Sequence, residues 1–157
     1  MELADFLKPD DVIAHLRATG KKQALQYISR HASERTGCSE REIFCVLMER
    51  ERLGTTGVGN GIAIPHAKLP SLEWVYALFA RLDHPIDFDS IDERPVDLIC
   101  LALAPERAGS DHLRALARLS RLLRHKTTCE KIRGTDDAEE LYALLTDAAA
   151  SRAAYSP

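Results

Sequence analysis

Residues 72–82 read LEWVYALFARL and residues 96–104 read VDLICLALA. Both are short, continuous apolar runs rich in β-branched and aromatic side chains, bounded by the turn signals Asp83–Pro85 and Pro105. Such runs fit strands buried on both faces: a half-exposed strand would alternate, and a helix would need a longer pattern of period 3.6. A third short strand, Ile62 to Ile64, is stopped by Pro65.

A sheet buried on both faces needs covering helices, and the flanking sequence supplies them. Residues 21–36 place Ala24, Leu25, Ile28 and Ala32 at helical spacing, with Gly37 as the stop. A second helix opens at Ser39, where Ser39 and Glu42 have capping-box spacing, and runs through Ile43, Val46 and Leu47 to Gly54. Ser110 or Asp111 is expected to cap a third helix with the stripe Ala115, Leu116, Leu119, Leu122 and Leu123. A short helical turn near residues 127–133 and a final helix from about Asp137 to Ala149 follow, leaving SRAAYSP as a frayed tail. The order helix–helix–strand–strand–strand–helix lacks the strict alternation of a doubly wound fold. The expected architecture is α/β: a mixed β-sheet covered by helices on both faces, in a single domain over residues 1–157.

Composition narrows the function classes. The chain has 45% hydrophobic and 29% charged residues, ordinary for a folded protein. Its 21 Lys and Arg against 24 Asp and Glu give a net charge of −3, which argues against a dedicated nucleic-acid binder. No apolar run is longer than that from Trp74 to Ala80, far short of the ~20 residues that cross a bilayer. The acidic start MELADFLKPDD has no signal-peptide pattern, so a cytoplasmic protein without membrane insertion is expected. Cys38, Cys45, Cys100 and Cys129 show no CxxC pairing and read as free thiols.

The chemistry is concentrated in GTTGVGNGIAIPHAK, residues 54–68, which packs Gly54, Gly57, Gly59 and Gly61 into eight positions. Such a run either makes a tight turn or turns backbone N–H groups toward an anion. There is no GK[ST] of a P-loop and no GxGxxG spacing. Pro65 stiffens the exit from the strand and presents His66 at its end. A neutral imidazole is a competent nucleophile near physiological pH, with one nitrogen free to react while the other is anchored. The competing reading is a histidine hydrogen-bonded at a strand end.

The run GTTGVGN before GIAIPH, with the Arg50–Glu51 pair upstream, closely resembles the enzyme IIA domain of the mannitol/fructose class of the bacterial phosphoenolpyruvate-dependent phosphotransferase system. Within that class the chain is most similar to the nitrogen-regulatory branch. HPIDFDSIDERPVDLICLALAP (84–105), DHLRALARLSRLL (111–123) and ELYALL carry the resemblance across nearly the whole chain. One departure is Ala67, where family members commonly carry Gly; the added methyl bears on backbone geometry, not on the chemistry.

The resemblance implies that His66 is phosphorylated by an HPr-like phosphocarrier, and that unidentified regulatory target proteins respond. His112 matches the family's second active-site histidine. It also falls in the first turn of the third helix, where an anion is favoured. Arg50 matches the family's arginine ahead of the glycines and shares the stripe of Ile43 and Leu47, where a phosphate could partner it. Gly57, Gly59, Asn60 and Gly61 are expected to form a phosphate-stabilising loop. No cofactor and no metal is expected, because in-line transfer from another phosphohistidine is mostly positioning and charge stabilisation.

Three functions compete: a regulatory phosphocarrier, a sugar-specific enzyme IIA serving an enzyme IIB and permease, and a metal-dependent hydrolase using His66 and His112. A metal set of His66, His84 and His112 lacks HxxxH or HExxH spacing. Between residues 106 and 133 there are eight Lys or Arg against three Asp or Glu, which reads as a solvated face or a docking surface for an acidic partner.

Overall fold

The computed structural model describes residues 2–155, with side chains through residue 147. Six strands build one mixed sheet: β1 (Leu7–Leu16), β2 (Gly57–Gly59), β3 (Ile62–Ala63), β4 (His66–Leu69), β5 (Tyr76–Ile86) and β6 (Val96–Pro105). The order is β1-β5-β6-β3-β2, with β4 also paired to β6. β6 lies antiparallel to β5 and parallel to β3 and β4, while β1 runs parallel to β5.

Strand alternation sorts the core into two layers. On β6, Leu98, Cys100 and Ala102 join the cluster that α1 (Leu3–Phe6), α4 (Ser110–Arg124), α5 (Lys126–Arg133) and α6 (Ala138–Tyr155) complete. Ile99, Leu101 and Leu103 join the cluster beneath α2 (Lys21–Thr36) and α3 (Glu40–Leu53). The expected mixed sheet with helices on both faces is the fold. Among the described residues no helix is long and apolar enough to cross a membrane.

Several boundaries move, each for a local reason. α2 ends at Gly37 (φ 79°), and Ser39 accepts from the Glu42 N–H, both as expected. β1 does not stand out in the sequence because Pro9, Asp10 and Asp11 look like a turn. They fit because β1 is an edge strand whose register shifts between Leu7 and Val12. β5 begins at Tyr76 rather than Leu72 and passes through Pro85, where a register irregularity between Arg81 and Ile86 accommodates the missing N–H. Gly109, not Ser110 or Asp111, is the N-cap of α4. It sits at φ 55°, in the left-handed region that suits glycine, and makes no side-chain cap. Asp137 caps α6 by accepting from the Glu140 N–H at 3.0 Å. α6 continues to Tyr155 through most of the tail expected to fray; the last two residues of that tail lie outside the described residues.

Candidate active site

β3 and β4 are one strand with an interruption. Ile62 lies opposite Leu98, Ala63 opposite Ile99 and His66 opposite Ala102, so the same register resumes after two residues. Pro65 has no N–H to give, although its carbonyl still accepts from the Ala102 N–H at 3.1 Å. His66 therefore opens β4 instead of closing the strand before it. Ile64 sends its N–H to the Thr56 carbonyl at 3.0 Å, and its own carbonyl accepts from His66 Nδ1 at 2.9 Å. A carbonyl can only accept, so Nδ1 carries the proton and Nε2 keeps a lone pair. Arg50 Nε donates toward that Nε2 at 3.4 Å, near the outer limit of a hydrogen bond, while Arg50 Nη1 donates to the Gly54 carbonyl at 2.8 Å.

His112 reaches the same point from the opposite layer. Its ring centroid lies 5.9 Å from that of His66, with the planes tilted by 58°. His112 is 7% exposed, and its Nε2 is buried without a hydrogen-bond partner. Burial lowers its pKa, and the neighbouring His66 and Lys68 push the same way, so the neutral ring is favoured. It occupies the first turn of α4, whose first amides have no side-chain cap. A helix start of this kind has N–H groups and a positive dipole end to offer an anion. Arg50, His66 and His112, from α3, β4 and α4, thus converge where the two layers meet at β4.

Beyond Gly54, whose carbonyl Arg50 holds, the glycine run stands apart from this trio. Gly61 accepts through its carbonyl from the Asp97 and Leu98 N–H groups, which lie at the other end of β6, about 13 Å from the level of His66. The Asn60 N–H goes to Asp92 Oδ2 at 2.9 Å, and the Gly57 N–H to Thr55 Oγ1 at 3.1 Å. Gly59 (φ 105°) and Gly61 (φ 79°) join a left-handed backbone to close packing: a Cβ on Gly59 would approach Asp92, and one on Gly61 would come 2.6 Å from Arg133 Nη2. A Cβ on Gly57 would collide with Ser90. Ala67 is not among the residues with positive φ, and it packs against the core under α2 and α3, so glycine's freedom is not needed there.

The set His66, His84 and His112 is not assembled. His84 lies close to Ile86, which pairs with Val96, about 20 Å along β6 from Ala102. Among the described residues no group of three His, Cys, Asp or Glu side chains is arranged to hold a metal ion. In the arginine run, Arg114 approaches Asp111 at 3.8 Å and Arg118 approaches Glu2 at 3.7 Å.

Sequence reasoning noted Glu51 only as Arg50's neighbour in the motif and gave it no role. It is buried beside Arg50, with Lys21 Nζ at 2.9 Å from Oε1 and the Thr56 N–H and hydroxyl donating to its two oxygens at 3.0 and 2.5 Å. A signal was there: Glu51 falls four residues after Leu47 and eight after Ile43, on the buried stripe.

The model of the family described as phosphoenolpyruvate-dependent sugar phosphotransferase system, EIIA 2, matches residues 5–148. The chain belongs to that family. This EIIA 2 chain is 53% identical over 145 residues to a nitrogen regulatory protein of Bradyrhizobium diazoefficiens, covering 92% of the chain and 95% of the relative. The crystal structure of nitrogen regulatory protein IIA-Ntr from Neisseria meningitidis superposes with a TM-score of 0.87 at 30% identity, covering 92% of this chain and 99% of that one. The mannitol enzyme IIA of Escherichia coli, solved in complex with its phosphorylated enzyme IIB, shares the fold at a TM-score of 0.75 and 16% identity, covering 89% and 98%.

Proposed function

We propose that this chain is a phosphocarrier. Nε2 of His66 accepts a phosphoryl group from a phosphohistidine on an HPr-like carrier in the cytoplasm. The two phosphorylation states then act differently on regulatory target proteins. One observation carries the chemistry: the two nitrogens of His66 are held in unequal states, Nδ1–H tied to Ile64 and Nε2 left with its lone pair. In the transfer the donor's N–P bond breaks and its electron pair returns to the donor nitrogen. The Nε2 lone pair makes the new N–P bond while Nδ1 keeps its proton, so the step balances without a further reactant.

Arg50, the unpartnered Nε2 of His112 and the positive end of the α4 dipole are the groups that would meet charge on the phosphoryl oxygens. Because they are already in place, little reorganisation accompanies transfer. To Gly57, Gly59, Asn60 and Gly61 we assign the shaping of the β2–β3 hairpin and not contact with the phosphoryl group. Leu53 and Leu113, both strongly exposed beside Arg50 and His112, give a protein donor an apolar rim on which to dock.

The regulatory role draws on relatives named nitrogen regulatory protein. A second reading, passage of the group to an enzyme IIB, draws on the family's description as a sugar system and on the mannitol complex. Incubation with phosphoenolpyruvate, enzyme I and an HPr-type carrier tests both. Wild type should take up one acid-labile, base-stable phosphoryl group, and His66→Ala none. Rapid loss of the label to an added IIB would favour the second reading; normal labelling of His66→Ala would end the phosphocarrier reading.

A further inference from the structure

Arg50 and Glu51 are neighbours in the last turn of α3, and each leads to a different nitrogen of the same imidazole. Arg50 faces His66 Nε2 directly. From Glu51 the path runs through the backbone of Thr56 and Ile64. Its carboxylate receives the N–H and hydroxyl of Thr56, the Thr56 carbonyl receives the Ile64 N–H at 3.0 Å, and the Ile64 carbonyl receives His66 Nδ1–H at 2.9 Å. These bonds involve separate peptide units, so what passes along them is position and not charge.

Helix stability does not explain Glu51. A carboxylate in the last turn meets the negative end of the helix dipole, and its side chain is only 4% exposed. Lys21 offsets that cost: its ammonium lies 2.9 Å from Glu51 Oε1 and 4.8 Å from the Phe88 ring centroid. We propose that Glu51, anchored by Lys21, is a positioning residue for the phosphoacceptor. It fixes Thr56 and, through Ile64, holds His66 in the Nδ1–H tautomer with Nε2 aimed at the incoming phosphorus. This inference deepens the phosphocarrier reading and rests on it.

The test has two arms on the full chain. One reads the ¹⁵N chemical shifts of both His66 nitrogens; the other measures single-turnover transfer from a phosphorylated HPr-type carrier. Glu51→Ala should mix the Nε2–H tautomer into the population and slow transfer at saturating donor by about 10- to 100-fold, with the donor's KM unchanged. Glu51→Gln still offers an acceptor to the Thr56 N–H and a donor to its hydroxyl, so it should restore most of the rate and the original shifts. If Glu51→Ala does not fold, Lys21→Met takes its place; it keeps the stem against Phe88, removes the anchor and should move both readouts in the same direction. A folded Glu51→Ala or Lys21→Met variant with a lower melting temperature but wild-type shifts and rate would overturn the proposal. If the wild type accepts no phosphoryl group, the functional reading fails while the tautomer arm still judges the positioning.

Discussion

Two polar clusters in this molecule differ in one respect, whether their hydrogen bonds are complete. The cluster around Asp11 joins β1, α2 and β5: the buried carboxylate accepts from the Tyr76 hydroxyl at 2.7 Å, Arg35 Nε at 3.1 Å and His31 Nε2 at 3.2 Å. Burial pushes Asp11 up, but those hydrogen bonds and the Arg35 charge outweigh it, so the carboxyl ends below its ordinary range. Tyr76, buried against that anion, is pushed up. The cluster at His66 is unfinished, with His112 Nε2 buried and unpartnered and Arg50 at long range from its acceptor. A completed network holds elements together, whereas an incomplete one is strained in favour of whatever completes it.

The sharpest way to break this contrast is to delete the incomplete partners. Arg50→Ala and His112→Ala should each slow phosphoryl transfer by up to about 10²–10³, roughly 3–4 kcal/mol of transition-state stabilisation. His112→Ala should barely move the melting temperature, since the lost imidazole had an unpartnered nitrogen. Arg50→Lys should recover only part of the rate, because an ammonium keeps the charge without the fork. Single-turnover rates on variants checked for folding decide this, and wild-type rates in both alanine variants would remove these residues from the site.

Asp11→Ala should do the reverse. It strands the Tyr76 hydroxyl, the Arg35 guanidinium and the His31 ring, at a cost on the order of 3 kcal/mol in denaturant unfolding, while transfer well below the melting temperature stays unchanged. Gly61→Ala should cost about 1–3 kcal/mol of stability, since a Cβ there meets Arg133 and Asp97 at φ 79°. Its transfer rate should stay at the wild-type value; a selective loss of rate would return the glycine run to the phosphate site.

The smallest effect separates two histidines by sign. His31 has its pKa raised, chiefly by its hydrogen bond to Asp11, so its contribution to stability is full below about pH 6.5 and is lost as pH rises through the raised value. His112 has its pKa lowered, chiefly by burial, so the unfolded chain takes up the proton first and stability falls as pH drops below about 6.5. Relative to wild type, His31→Ala should therefore lose more stability at pH 5.5 than at pH 8, and His112→Ala should gain at pH 5.5. The same pH trend in both variants would contradict the contrast.

What the sequence made legible follows from which features are local. α2 and α3 were readable because Gly37 and Ser39 act within one turn, and β6 because a run buried on both faces has little else to be. β1 was not, since the edge position and register shift that excuse Pro9 exist only in the sheet. At the site, the PH motif and the stripe through Arg50 pointed to side chains that the fold brings together. What the glycines pack against was not readable, because Ser90, Asp92, Asp97 and Arg133 are remote in sequence. Glu51 was given no role for the same reason: its value depends on Lys21 and Thr56, which only the fold brings to it.

The central claim is that one nitrogen of one histidine is prepared for phosphorus. Phosphorylating the ¹⁵N-labelled protein through enzyme I and an HPr-type carrier, then reading ³¹P–¹⁵N coupling, locates the new bond directly. The geometry predicts coupling to Nε2 of His66 with Nδ1 still protonated against Ile64. Coupling to Nδ1, or phosphorus on any other residue, would contradict it.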